Sequence, residues 1–125
     1  MAMEYPATWS SLQHPWWRFE LLAHLQELAA PDPRPLWQEG RRRGLISGID
    51  QVFHFLFDDH DFDAGEIGYT LFDADEAEAI GATKRALQAL LAELGDVQDD
   101  EYVSHHRWPQ VTVAAAAAYN LLAPR

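Results

Sequence analysis

Asp50, His54 and Asp58 recur at i, i+4 and i+8, a spacing that puts all three side chains on one face of a helix. Two carboxylates flanking an imidazole can hold a divalent metal or orient a general base. Glu20, His24 and Glu27 repeat the theme earlier in the chain. Two such helices facing each other across a bundle would form a carboxylate–histidine site, with Asp50, His54, Asp58 and His24 as the candidate metal ligands. No His-Glu-x-x-His pair accompanies them, and that pair is the motif that makes a helical metal site legible. The simpler expectation is therefore a polar stripe in which His54 bonds to its neighbours, with no cofactor bound.

Directly after this stripe, Asp58, Asp59, Asp61, Asp63 and Glu66 form the densest acid cluster of the chain, with no Lys or Arg among them. Asp59, Asp61 and Asp63 match positions 1, 3 and 5 of an EF-hand-type calcium loop. The later positions break that pattern. The sharp turn needs glycine where the chain has Ala64, and the bidentate glutamate is replaced by Thr70. The simpler expectation is a solvated acidic loop; the sharper one is an acidic face that attracts a basic partner, with these five carboxylates as the candidate partner-binding residues.

Composition narrows the function classes further. The formal net charge is −11, from 20 acidic against 9 basic residues. Phosphate binding needs clustered Lys and Arg, so nucleic acid is not an expected partner; only Arg41-Arg42-Arg43 forms such a cluster. The chain has no Cys, which removes disulfides, thiolate metal sites and cysteine nucleophiles together and fits a reducing compartment. The N-terminal residues lack the basic and apolar regions of a signal peptide, and no apolar run approaches a membrane span. A cytoplasmic location is expected. No Gly-x-Ser-x-Gly and no glycine-rich phosphate loop occurs, so no catalytic residue is assigned.

The elements that must position these groups follow from periodicity and punctuation. Residues 1–13 read as an extended or partly frayed lead-in. Pro15 suits the first turn of a helix, and Trp16, Phe19, Leu22, Leu25 and Leu28 give an apolar stripe that predicts a helix over about 15–30. Leu36 to Glu39 reads as a short helix ended by Gly40, followed by a polar loop through Arg41–Leu45. Ser47 and Asp50 predict a capping box for a central helix running to about Asp59. Ile49, Val52, Phe53 and Leu56 form its inward face, and Phe55 and Phe57 widen it. The 65–72 segment is expected to be loop or a single helical turn. Asp73 and Glu76 form a second capping box, and Ile80, Thr83, Leu87, Leu90, Leu91 and Leu94 predict the longest helix, stopped by Gly95. An acidic turn at Asp99–Val103 leads through His105-His106 to a last helix opened by Trp108-Pro109. There Ala114–Ala118 lets a neighbour approach closely. Of the five Trp, most are expected in the core. Trp16 and Trp17 are adjacent and cannot both point inward. The expectation is an all-α fold, a compact bundle of four main helices with one or two short extra helices, forming a single helical domain over 1–125.

Several of these pieces also occur together elsewhere. Leu36-Trp37-x-Glu39-Gly40, Asp50-x-Val52-x-His54-x-Leu56-Phe57-Asp58-Asp59, Glu93-Leu94-Gly95-Asp96-x-x-Asp99-x-x-Tyr102 and Trp108-Pro109-x-Val111 resemble a family of small uncharacterised bacterial proteins, best represented in actinobacteria. The resemblance spans about Pro15 to Leu122. It implies a compact helical cytoplasmic domain and brings no activity and no functional residues. In size and acidity the chain is also similar in type to immunity proteins that neutralise toxins of neighbouring bacteria. The leading expectation is a small acidic binding domain for another, basic protein. The alternative is a metal-binding protein or metal-dependent enzyme built on His54, and a third reading is a structural subunit of a homo-oligomer.

Overall fold

The computed structural model describes residues 5–125. Its helices are α1 (Pro15–Ala29), α2 (Arg34–Arg42), α3 (Ile49–Phe53), α4 (Ala74–Leu94), α5 (Asp99–Val103) and α6 (Trp108–Leu122). Short 3-10 turns occupy Ala7–Ser11 and Ala64–Glu66, and α3 runs without a break into a π-helical turn at His54–Asp59. The described residues contain no strand beyond one isolated bridge between Ile67 and Leu71, so the fold is all-α as expected. None of the described helices is long and apolar enough to cross a membrane.

Helix α6 packs on both α1 and α4. Its inward residues include Val111, Ala115, Ala118 and Leu122, all fully buried, and the two alanines allow the close approach that their small side chains promise. Helix α4 starts at Asp73, whose side chain accepts from the Glu76 N–H at 3.0 Å, and stops at Gly95 with φ of +69°, a left-handed conformation that glycine adopts at little cost. Both ends fall where the sequence places them.

Three local expectations are corrected. Helix α1 buries Arg18, Leu21, Leu25 and Leu28, not the stripe starting from Trp16 and Phe19, which stay 46% and 43% exposed. Leu25 and Leu28 are buried as expected, and the difference lies in the first two turns, where Arg18 and Leu21 take the inward positions. Helix α2 passes through Gly40 and takes in Arg41 and Arg42. A Cβ at Gly40 would collide with the Ser47 side chain, so this glycine serves a close approach and not a stop. The lead-in is anchored where it is described: Trp9 is buried in the 3-10 turn. Its first four residues lie outside the described chain. Trp37 and Trp108 are also core, Trp17 is half-buried and Trp16 exposed, so the adjacent pair divides as expected.

Candidate recognition site

The central helix begins at Gly48, whose φ of +129° is open to glycine and strained for other residues. The expected Ser47–Asp50 box does not form. The first N–H of α3, at Ile49, donates 3.0 Å to the carboxylate of Asp99, which also receives Arg41 Nη2 at 2.6 Å. A residue fifty positions away thus supplies the cap, and this ties α3 to the start of α5. Ile49, Val52, Phe55 and Leu56 face the core. Phe53 and Phe57 pack against this core and keep part of their surface open.

Depressions flank this helix on two sides, and a third lies at its first turn between Arg41, Asp50 and Asp96. On one side Asp50, Phe53, His54, Phe57 and Asp58 meet Leu91 of α4 and the Gly95–Tyr102 stretch, enclosing a groove of about 350 Å³. Its floor is aromatic and aliphatic, with Leu91 41% exposed, and its rim carries Asp50, Asp58 and Asp96. Tyr102 is pinned at the groove's end, its hydroxyl donating 2.6 Å to the Gly95 carbonyl. Burial pushes its phenol above the usual value, and Asp50 and Asp96 push it the same way. On the other side Trp17, Glu20, Asp59, His60 and Glu66 line a shallower cleft of about 430 Å³, where His60 packs edge-on against Trp17 and Phe55.

The predicted residues divide between these two sides. His54 Nδ1 lies 2.7 Å from Asp58 Oδ2, and both side chains are about two-thirds exposed (65% and 64%). Asp50 shares their groove. His24 does not: it pairs with Glu27 at 3.1 Å and packs against the Phe55 ring. The two carboxylate–histidine stripes are therefore not brought face to face, and among the described residues no group of three or more His, Asp and Glu side chains is placed to hold a metal ion. Asp59 belongs to the opposite cleft. Asp63 caps the Ala64–Glu66 turn through the Gly65 N–H at 2.9 Å, and Glu66 receives the Thr70 hydroxyl at 2.8 Å. Both therefore hold the loop in shape. The Asp61 carbonyl accepts Lys84 Nζ at 2.7 Å, and that ammonium also lies 5.0 Å above the Phe57 ring. Burial lowers the Lys84 pKa, while Asp61 and Asp63 pull it back up.

Besides Lys84 over Phe57, and Arg41, which shares a depression with Asp50 and Asp96, the cations of the molecule are engaged away from this region. Arg34 pairs with Asp32 and Asp100, Arg41 with Asp99, Arg42 with Glu39, Arg85 with Glu78, Arg107 with Glu93 and Arg125 with Asp73. Asp50, Asp59, Asp61 and Asp96 make no ion pair with another described residue.

The most buried charge pair is one that sequence reasoning missed. Arg18 and Glu76, both 0% exposed, form a two-pronged pair at 2.8 and 2.9 Å. The guanidinium also donates to the Thr70 and Leu122 carbonyls at 3.0 and 3.2 Å and packs over the Phe72 ring. Glu76 in turn accepts the Phe72 N–H at 2.9 Å and receives Arg125 at 3.3 Å. This node joins the first turns of α1 and α4 to the last turn of α6. Four guanidinium donors are satisfied and Nε is buried without a partner, so the node has no free face for a substrate. The only sequence signal for it was Glu76 at the third position of a capping box.

No curated protein and no solved structure matches the chain. A family model does match, over residues 12–125, which takes in both flanks of the central helix and the buried node. The chain belongs to the family described as a domain of unknown function, DUF7945.

Proposed function

We propose that this protein is a recognition domain that binds a basic protein. The carrying observation is the separation of charge. Of the nine Lys and Arg, every one except Arg43 is engaged within the described residues, and most of the carboxylates without an ion pair, Asp50, Asp59, Asp61, Asp63, Glu66 and Asp96, lie along the central helix, the loop after it and the groove beside it. Such a field speeds encounter with a positively charged partner and disfavours acidic ones. An immunity-type inhibitor that neutralises a basic effector is the finer form of this reading, supported by size and charge. The metal-binding alternative has less support, because His24 lies apart from the Asp50–His54–Asp58 stripe.

The test is affinity capture of the tagged protein from its host lysate at low and moderate salt. The reading expects one basic protein in stoichiometric amount at low salt, lost as the salt screens the acidic face. Capture of nothing, or of a neutral or acidic protein insensitive to salt, would overturn it.

A further inference from the structure

Resting on that reading, we propose that the groove between the π-helical turn, α4 and the Gly95–Tyr102 stretch is the docking site, and that its occupant is a basic amphipathic helix of the partner. The helix would seat apolar side chains on Phe53, Phe57 and Leu91 and aim Lys or Arg at Asp50, Asp58 and Asp96.

Three observations select this groove and this occupant. First, the floor is apolar and partly exposed and lies beside carboxylates, whereas the other apolar depression, at Phe19, Leu22 and Tyr119, has no Asp or Glu in its lining. Phe53 and Phe57 are half-buried, and Leu91 presents 41% of its surface. The volume of about 350 Å³ is that of a small pocket, enough for an anchoring side chain or two and not for a packed domain. Second, the rim is complementary to a cation. Asp50 and Asp96 make no ion pair with another described residue, and Asp58 faces only His54, so a Lys or Arg arriving here displaces no existing Lys or Arg. A small polycation would satisfy the rim but leave the floor wet. An amphipathic segment satisfies both.

Third, the backbone around the groove offers no edge for an added strand. The described residues form no strand, and the Gly95 carbonyl at the groove's end already accepts from Tyr102 and Val97. Pairing by strand addition is closed, and the helix-in-groove mode, read by anchors at i, i+3 or i+4, and i+7, suits an apolar floor beside a charged rim. The π-helical turn fits this role. Such turns are frequent at functional sites, and this one, which closes the central helix, carries His54, Phe57 and Asp58 to the groove. The cleft across the helix is the weaker choice, because its floor residue Phe55 is buried and only the half-buried Trp17 offers apolar surface to a ligand.

The test is an NMR titration of the full-length ¹⁵N-labelled chain with a synthetic amphipathic Leu/Lys helix. Its control is a peptide of the same composition scrambled to destroy the apolar face. The docking proposal expects amide shifts concentrated at Phe53, Phe57, Leu91 and Gly95–Tyr102 with the amphipathic peptide, and diffuse, weaker shifts with the scrambled one. Leu91→Gln, on the exposed side of α4, is expected to weaken the amphipathic peptide about tenfold, the usual minimum for a central apolar anchor, with the folded spectrum retained. Shifts spread evenly over the acidic surface, shifts centred on Trp17, Glu20 and His60, equal behaviour of the two peptides, or no binding would each overturn it. The two levels fail separately. A basic protein captured from lysate that Leu91→Gln leaves unaffected removes the groove and keeps the basic partner. Peptide docking in the groove with no basic protein captured does the reverse.

Discussion

Arg18–Glu76 and His54–Asp58 are each a basic side chain beside a carboxylate, 2.8 and 2.7 Å apart, yet they do opposite work. The first is sealed at the junction of α1, α4 and α6, with its carboxylate and four of its donors answered from inside the chain. Taking both charges out of water is costly, and these bonds, which leave only the Arg18 Nε unanswered, offset the cost. The second stands about two-thirds in solvent beside an apolar floor, where water competes with the pair and salt screens it. A saturated pair can only hold elements together. An exposed pair among unopposed carboxylates holds little and remains available to a partner.

The sharpest way to break that contrast is at the buried end. Arg18→Ala should cost about 3–5 kcal/mol, because Glu76 is left charged and buried without its main counter-ion; urea denaturation would measure it. Replacing both members, Arg18→Met with Glu76→Leu, should recover part of that loss, since no orphaned charge remains. The recovery stays incomplete because the Thr70 and Leu122 carbonyls and the Phe72 N–H lose their partners.

Between the extremes lies Asp99, which caps α3 from a distance. Asp99→Ala should cost about 1 kcal/mol, the usual value of a lost helix cap, in the same denaturation experiment. At the exposed end, His54→Ala should change stability by less than about 0.5 kcal/mol. If His54→Ala proved as damaging as Arg18→Ala, the division into a holding pair and a recognising pair would fail.

Acid sharpens the same comparison. The Glu76 N–H and the Arg125 guanidinium hold the Asp73 carboxyl below its ordinary value of 3.8. A depressed folded pKa means that the unfolded chain takes up the proton first. The stabilisation from Asp73 is therefore complete above pH 3.8 and is lost as the pH falls below it through the depressed folded value. Asp73→Asn should flatten the stability profile in that acid window, as followed by circular dichroism during acid titration.

Much of the fold was legible because it is written locally. Proline at the start of α1 and α6 and Gly95 after α4 mark boundaries that need no tertiary information. What stayed hidden depends on contacts distant in sequence. The inward face of α1 is set by Arg18, whose partner is 58 positions away, and a lone arginine on a helix reads as a solvated residue. The cap of α3 comes from Asp99 and not from neighbouring Ser47. At the site, the periodicity placed Asp50, His54 and Asp58 on one face, and all three line the groove. It did not show that Phe53, packed against the core, also keeps part of its surface open, because a helical repeat records only that a face is apolar. Whether α4 covers that face or leaves a groove is decided by packing. Among the acid cluster, composition could not separate Asp63 and Glu66, which hold a loop, from Asp58 and Asp59.

The most direct test of recognition by the exposed end is affinity capture with two baits side by side, the wild-type chain and the triple variant Asp50→Asn, Asp58→Asn, Asp96→Asn. All three positions are exposed, so the variant should fold as the wild type does. The account predicts that a basic partner is retained by the wild type at low salt and lost from the variant. A partner held equally by both baits would contradict it.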